Sequence, residues 1–108
     1  MGTEITVSHE ADVLMVSAFN SPTSYVFLQC DTDEISEVFF EYNDQANGSF
    51  NNISKCFVSA VGMQIFTNSA EIIDFQFSNL TSKGQARLLA GLKDIFAQDL
   101  SVLNIEVS

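Results

Sequence analysis

Hydrophobic and polar positions alternate with period two along most of the chain, which is the signature of half-buried strands. Thr3 to Ser8 sets Thr3, Ile5 and Val7 on one side. Asp12 to Phe19 is almost wholly apolar through Val13-Leu14-Met15-Val16 and reads as a strand covered on both faces or a central one. Asn20-Ser21-Pro22-Thr23 is a turn, and Tyr25 to Cys30 is a further apolar strand that ends at the polar break Asp31-Thr32-Asp33-Glu34. Ile35 to Tyr42 splits cleanly: Val38, Phe40 and Tyr42 share one face, and Glu37, Phe39 and Glu41 the other. The polar stretch Asn43 to Asn52 reads as a loop, with Asn47-Gly48 as its tight turn. Ile53 to Ser59 and Met63 to Thr67 form a hairpin around Ala60-Val61-Gly62, and Asn68-Ser69-Ala70 is another turn. In Glu71 to Ser78, Ile73, Phe75 and Phe77 point inward against Asp74 and Gln76. Connections this short favour antiparallel neighbours.

The period then changes. Ala86, Leu88, Leu89, Leu92, Ile95 and Phe96 recur at i, i+3 and i+4, which predicts an amphipathic helix from about Ser82 to Gln98. Ser82 with Gln85 three residues on resembles a capping box, and Thr81 is the competing cap. Gly84 and Gly91 each weaken such a helix by about 1 kcal/mol relative to alanine. Val102 to Val107 alternates once more and reads as a last strand. The predicted fold is α+β: a mostly antiparallel sheet of about six to eight strands with one C-terminal helix packed on one face. With 108 residues and no linker or internal repeat, the expected organisation is a single domain over residues 1–108.

Charge changes the picture more than composition does. Fourteen acidic residues face four basic ones, for a net charge of −10. Residues 1–54 hold nine acids and neither Lys nor Arg, while residues 55–108 hold five acids and all four bases. Six acids crowd into positions 31–44: Asp31, Asp33, Glu34, Glu37, Glu41 and Asp44. A pI near 4.1 argues against nucleic acid or an anionic membrane as a direct partner and favours a basic protein. The acidic run is either a docking surface for that partner or a solvated strand edge kept soluble by charge.

Catalytic chemistry is sparse. His9 lies in a polar N-terminal segment with no obvious nucleophile beside it, and no nucleophile elbow, Cys-x-x-Cys pair, His-Glu-x-x-His or phosphate-binding glycine loop occurs. Cys30, Cys56 and His9 match no zinc spacing, and Asp31-Thr32-Asp33-Glu34 lacks the glycine and the final glutamate of a calcium loop. The expectation is a non-enzymatic protein with no cofactor and no metal. Cys30 and Cys56 sit in apolar segments, where free cysteine behaves as a small hydrophobe. No run of residues is long and apolar enough for a membrane helix, and the N-terminus lacks the pattern of a signal peptide, so a cytoplasmic location is expected. The sequons at Asn47, Asn52 and Asn79 carry little weight in that setting.

Several segments together resemble a known family. They are Tyr25-Val26-Phe27-Leu28-Gln29, then Val38-Phe39-Phe40-Glu41-Tyr42-Asn43-Asp44-Gln45, then the hairpin opened by Ile53. Glu71 to Phe77 follows, leading into a helix that ends Leu88-Leu89-Ala90-Gly91-Leu92-Lys93-Asp94-Ile95-Phe96. Their order and spacing, from roughly residue 11 to residue 98, are similar to the immunity protein 10 family of bacterial polymorphic toxin systems. The resemblance implies a mostly β protein that binds and neutralises a cognate toxin, and it supplies no interface positions.

An acidic surface suits a toxin whose working face is basic, a nuclease being one such toxin. The residues expected to bind it are Asp31, Asp33, Glu34, Glu37, Phe39, Glu41 and Asp44, with Phe39 as the anchor and the acids around it. The competing placement puts Phe39 under the C-terminal helix. The alternative functions are an acidic secretion chaperone for an effector, expected to expose a large apolar patch, and a nucleic-acid-mimicking inhibitor. A homo-oligomer is compatible with either.

Overall fold

The alternating segments assemble into two sheets that share one core. In this computed structural model, residues 2–31, 34–50, 53–97 and 100–106 are described, with the backbone alone for residues 34–37, 45 and 46. Strands β1 (Glu4–Glu10), β2 (Val13–Ser21), β3 (Ser24–Asp31), β4 (Glu34–Tyr42) and β5 (Asp44–Phe50) form an antiparallel meander in sequence order, here called sheet A. Strands β6 (Ile53–Ser59), β7 (Gly62–Thr67), β8 (Ile72–Gln76) and β9 (Leu103–Glu106) form sheet B in the order β8-β7-β6-β9. Helix α1 (Ser82–Ile95) lies between β8 and a 3₁₀ turn at Leu100–Val102 that leads into β9. The expected α+β class, with antiparallel pairing dominant and one helix on a sheet, is what the chain adopts. Among the described residues the one parallel pair is β6 with β9, because the chain returns to sheet B through the helix and not through a hairpin.

Period-two patterning decides which side of each strand is buried. Leu14, Val16 and Ala18 of β2, Val26, Leu28 and Cys30 of β3 and Phe40 of β4 point inward from sheet A. Cys56 and Val58 of β6, Met63 and Ile65 of β7 and Ile73 and Phe75 of β8 meet them from sheet B. Helix α1 adds Leu88, Leu92 and Ile95, with Phe96 just beyond its end, to the same cluster. At Gly91 the helix comes so close to β1 and β2 that an added Cβ would stand 2.8 Å from Val16 Cγ2 and 3.1 Å from Val7 Cγ2. The glycine that weakens the helix locally is therefore what lets it seat on the two valines.

A polar stitch also joins the sheets. Thr3 donates its backbone N–H to the Ser78 carbonyl at 2.6 Å, and its hydroxyl accepts from the Ser78 N–H at 2.7 Å. The same hydroxyl donates to Asn20 Oδ1 at 2.5 Å, and the Asn20 amide donates to the Gln76 carbonyl at 2.9 Å. The start of β1, the end of β2 and the end of β8 are thus held in one network.

Four local expectations are corrected. Residues 44–50, read as part of a loop, form β5, the strand that takes the count of strands among the described residues to nine. Its sequence lacks apolar alternation because it is an edge strand. The reversal that starts it is at Asn43 (φ 59°), one residue after β4, and not at Asn47-Gly48. Asn43 Oδ1 accepts from the Tyr25 N–H and the Asn47 amide donates to the Tyr42 carbonyl, so side chains stabilise the turn. The helix is capped by Thr81, whose hydroxyl accepts from the Gly84 N–H at 3.0 Å, and not by a Ser82–Gln85 box. The Gln85 side chain instead donates to the Ser59 carbonyl at 3.1 Å, tying α1 to β6. The helix ends at Ile95, with Phe96 as its C-cap.

Candidate functional site

The two faces of sheet A differ in what covers them. Helix α1 and sheet B both pack on the inner face, so among the described residues the outer face has no covering element. That face carries the odd-numbered residues of β2, β3 and β4. Register places Met15 opposite Gln29, Gln29 opposite Phe39 and Phe39 opposite Phe50, one row across four strands. In the adjacent row Ser17 faces Phe27 and Phe27 faces Glu41.

Aromatic rings bind these rows together. Phe27 and Phe39 meet edge to face with ring centroids 6.2 Å apart, and Phe39 and Phe50 do so at 5.2 Å. Phe19 and Tyr25 add a tilted pair at 6.4 Å on the same face. Phe39 is half-buried between its neighbours, whereas Phe50 is 66% exposed at the sheet edge. Phe39 therefore lies opposite the helix, and the placement beneath α1 is not adopted.

Glu41 is the one described carboxylate set among these rings. It is half-buried, and its Oε2 accepts from the Tyr25 hydroxyl at 2.5 Å. The bond to Glu41, desolvation, and the negative charges of Glu41 and Asp44 together push the Tyr25 phenol up to about 12. The mount is stiff: the Tyr25 N–H donates to Asn43 Oδ1 at 2.9 Å, and the Asn43 N–H donates back to the Tyr25 carbonyl at 3.1 Å.

The remaining expected positions surround this centre unevenly. Asp31 ends β3 and Asp44 begins β5, both exposed. Glu34 and Glu37 belong to β4, but their side chains lie outside the described residues, as does the whole of Asp33. Tyr25, Phe27 and Phe50 were not among the expected site residues. Tyr25 and Phe27 were hidden in a strand read as uniformly apolar, although their odd parity with Phe39 and Glu41 was the available signal. Phe50 lies within the stretch Asn43 to Asn52 that reads as a loop.

Charge segregates by layer. Sheet A contains neither Lys nor Arg, and the four bases are Lys55 on β6 and Lys83, Arg87 and Lys93 on α1. The exposed acids Glu4, Glu10, Asp31 and Asp44 thus rim an outer face with no cation of its own sheet. Elsewhere, a shallow cleft on sheet B is lined by Phe57, Ser59, Gln64, Asp74, Gln76 and Glu106. The Ser59 hydroxyl is engaged locally, donating to the Gly62 carbonyl and accepting from the Val61 N–H. Among the described residues, no group of three or more His, Cys, Asp or Glu side chains is placed to hold a metal ion. No helix among them is long and apolar enough to cross a membrane. Comparison of the chain with protein-family models, with curated proteins and with solved structures gives no match.

Proposed function

We propose that the protein is an immunity protein that binds and neutralises a cognate protein toxin with a basic working surface. The observation that supports this most is the outer face of sheet A: aromatic, rimmed by acids and without a base anywhere in its sheet. Inhibition by occlusion needs shape and charge complementarity and no catalytic group. Opposite charge speeds encounter and rejects wrong partners, and a ring cluster supplies apolar contact at the centre. The resemblance to immunity protein 10 points in the same direction.

The test has two stages. The protein is used as bait in a lysate of its source bacterium at low and moderate salt, and the toxin domain of the captured partner is then expressed alone and together with the bait. The reading expects growth arrest by that domain, rescue on co-expression, and weaker capture as salt rises. Charge reversal at Glu37 and Glu41 is expected to weaken capture at least tenfold, as loss of a steering surface does. A partner held through an unstructured segment, with no rescue of growth, replaces this reading with the secretion chaperone. That second reading draws on the exposed Phe50 of edge strand β5, where an extended segment can add to the sheet.

A further inference from the structure

We infer that the outer face of sheet A receives an arginine side chain from its protein partner, with Glu41 as the carboxylate and Phe39 and Phe50 as the stacking surface. The inference deepens the reading above and rests on its basic partner. A surface that merely repels anions needs only scattered exposed acids. Glu41 differs from such acids because it is half-buried among rings and held in one orientation by the Tyr25 hydroxyl. Among the described residues only its Oε2 has a hydrogen-bond partner, which leaves Oε1 to accept from outside.

The neighbouring rings select among cations. Phe39 is two residues from Glu41 on the same strand face, about 6.6 Å along the strand. Phe27 stands directly across from Glu41 in the ladder. A guanidinium bonded to Oε1 therefore has aromatic neighbours both along and across the strands, and cations are attracted to ring faces within roughly 6 Å. Guanidinium is planar and weakly hydrated, so it can lie on a ring while its edge bonds the carboxylate. A lysine ammonium is a strongly hydrated point charge and does this less well. No Lys or Arg of sheet A can fill the position, so the cation comes from the partner.

The test uses the full-length protein and two fluorescently labelled probes, hexa-arginine and hexa-lysine, titrated by anisotropy at fixed moderate salt. The expected result is roughly tenfold tighter binding of hexa-arginine. Glu41→Gln keeps an acceptor for Tyr25, and Phe50→Ala alters a mostly exposed ring, so both variants are expected to fold, which a backbone amide NMR spectrum checks. Each should bring the two probes to within about twofold of one another, chiefly by weakening hexa-arginine binding. Equal affinity of the two probes for the parent protein overturns the inference, as does a preference that survives both variants. Concentration-dependent dimerisation abolished by Phe50→Ala also overturns it, because the face would then be covered by a second copy. An arginine preference without growth rescue supports this site and removes the toxin reading. Growth rescue without an arginine preference does the reverse.

Discussion

The Tyr25 hydroxyl donates to Glu41 Oε2 at 2.5 Å across the β3–β4 ladder, on the sheet face that points away from the core. This contact joins the acidic strand to the aromatic one and couples a titrating phenol to the candidate site. The bond to Glu41 is the largest cause of the rise in Tyr25 from its ordinary 10 to about 12. A raised folded value means that folding favours the neutral phenol. The resulting stabilisation is fully present below pH 10 and is lost as pH climbs from about 10 to about 12. Ultraviolet titration should show one tyrosine ionising near 12, and Glu41→Gln should bring it back toward 10. An unmoved Tyr25 in that variant would show that the Glu41 carboxylate charge is not the cause. Tyr42, raised by desolvation and by Glu71, should also titrate late.

Thr3→Val tests the stitch between the sheets. The substitution keeps the shape and removes the hydroxyl that serves Ser78 and Asn20. The Ser78 N–H and Asn20 Oδ1 then lose their partner in a partly buried setting, at a cost of about 1–3 kcal/mol. Urea unfolding should report a lower midpoint. Thr3→Val combined with Asn20→Ala should cost less than the sum of the two, because both break the same network.

Two glycines should resist replacement for steric reasons. A Cβ at Gly62 would stand 2.5 Å from the Phe75 carbonyl oxygen, and backbone cannot swing aside as a side chain can. Gly62→Ala is therefore expected to cost at least about 1–3 kcal/mol through overpacking. Gly91→Ala sets a helix gain of about 1 kcal/mol against a clash with two stiff valines. A net loss of about 1 kcal/mol in thermal or chemical unfolding is expected, since overpacking typically outweighs the propensity gain. A more stable Gly91→Ala would mean that the helix can shift on β1 and β2.

Cysteine reactivity separates the folded from the unfolded chain. Cys56 is fully buried and desolvation pushes its thiol up to about 12, while Cys30 is buried and raised by desolvation and by Asp31 and Asp94. The thiolate is the reactive species, so a thiol reagent at pH 8 should leave both residues almost unmodified in the native protein. Both should react promptly in denaturant. Fast native labelling of Cys56 would show that sheet B opens readily.

Most strands were legible because burial on one side imposes period two. Phe40 against Phe39 shows how far this goes: adjacent residues, one fully buried and one half-exposed, each on the expected face. Strand β5 was not legible, since an edge strand of polar residues is specified by the ladder hydrogen bonds and side-chain-supported turn that join it to β4. The parallel seat of β9 was equally invisible, because a four-residue alternation fits either direction. Thr81 and Ser82 competed evenly as caps until the position of β6 gave Gln85 a different acceptor in the Ser59 carbonyl.

The acid-only first half of the chain, the inward and outward sides of β4, the amphipathic helix and the α+β class were determined by the sequence alone, since each depends on local periodicity or on counting charges. Tertiary structure decided what those features became. Because the meander keeps β1 to β5 in one sheet, a bias along the chain turned into an acidic layer. Because the helix seats on the β1–β2 side through Gly91, the opposite face stayed open. Because Tyr25, Phe27, Phe39, Glu41 and Phe50 lie on the same face of three neighbouring strands, residues up to 25 positions apart come together in one candidate site. Registers across a sheet are set by long-range packing, and no window of sequence contains them.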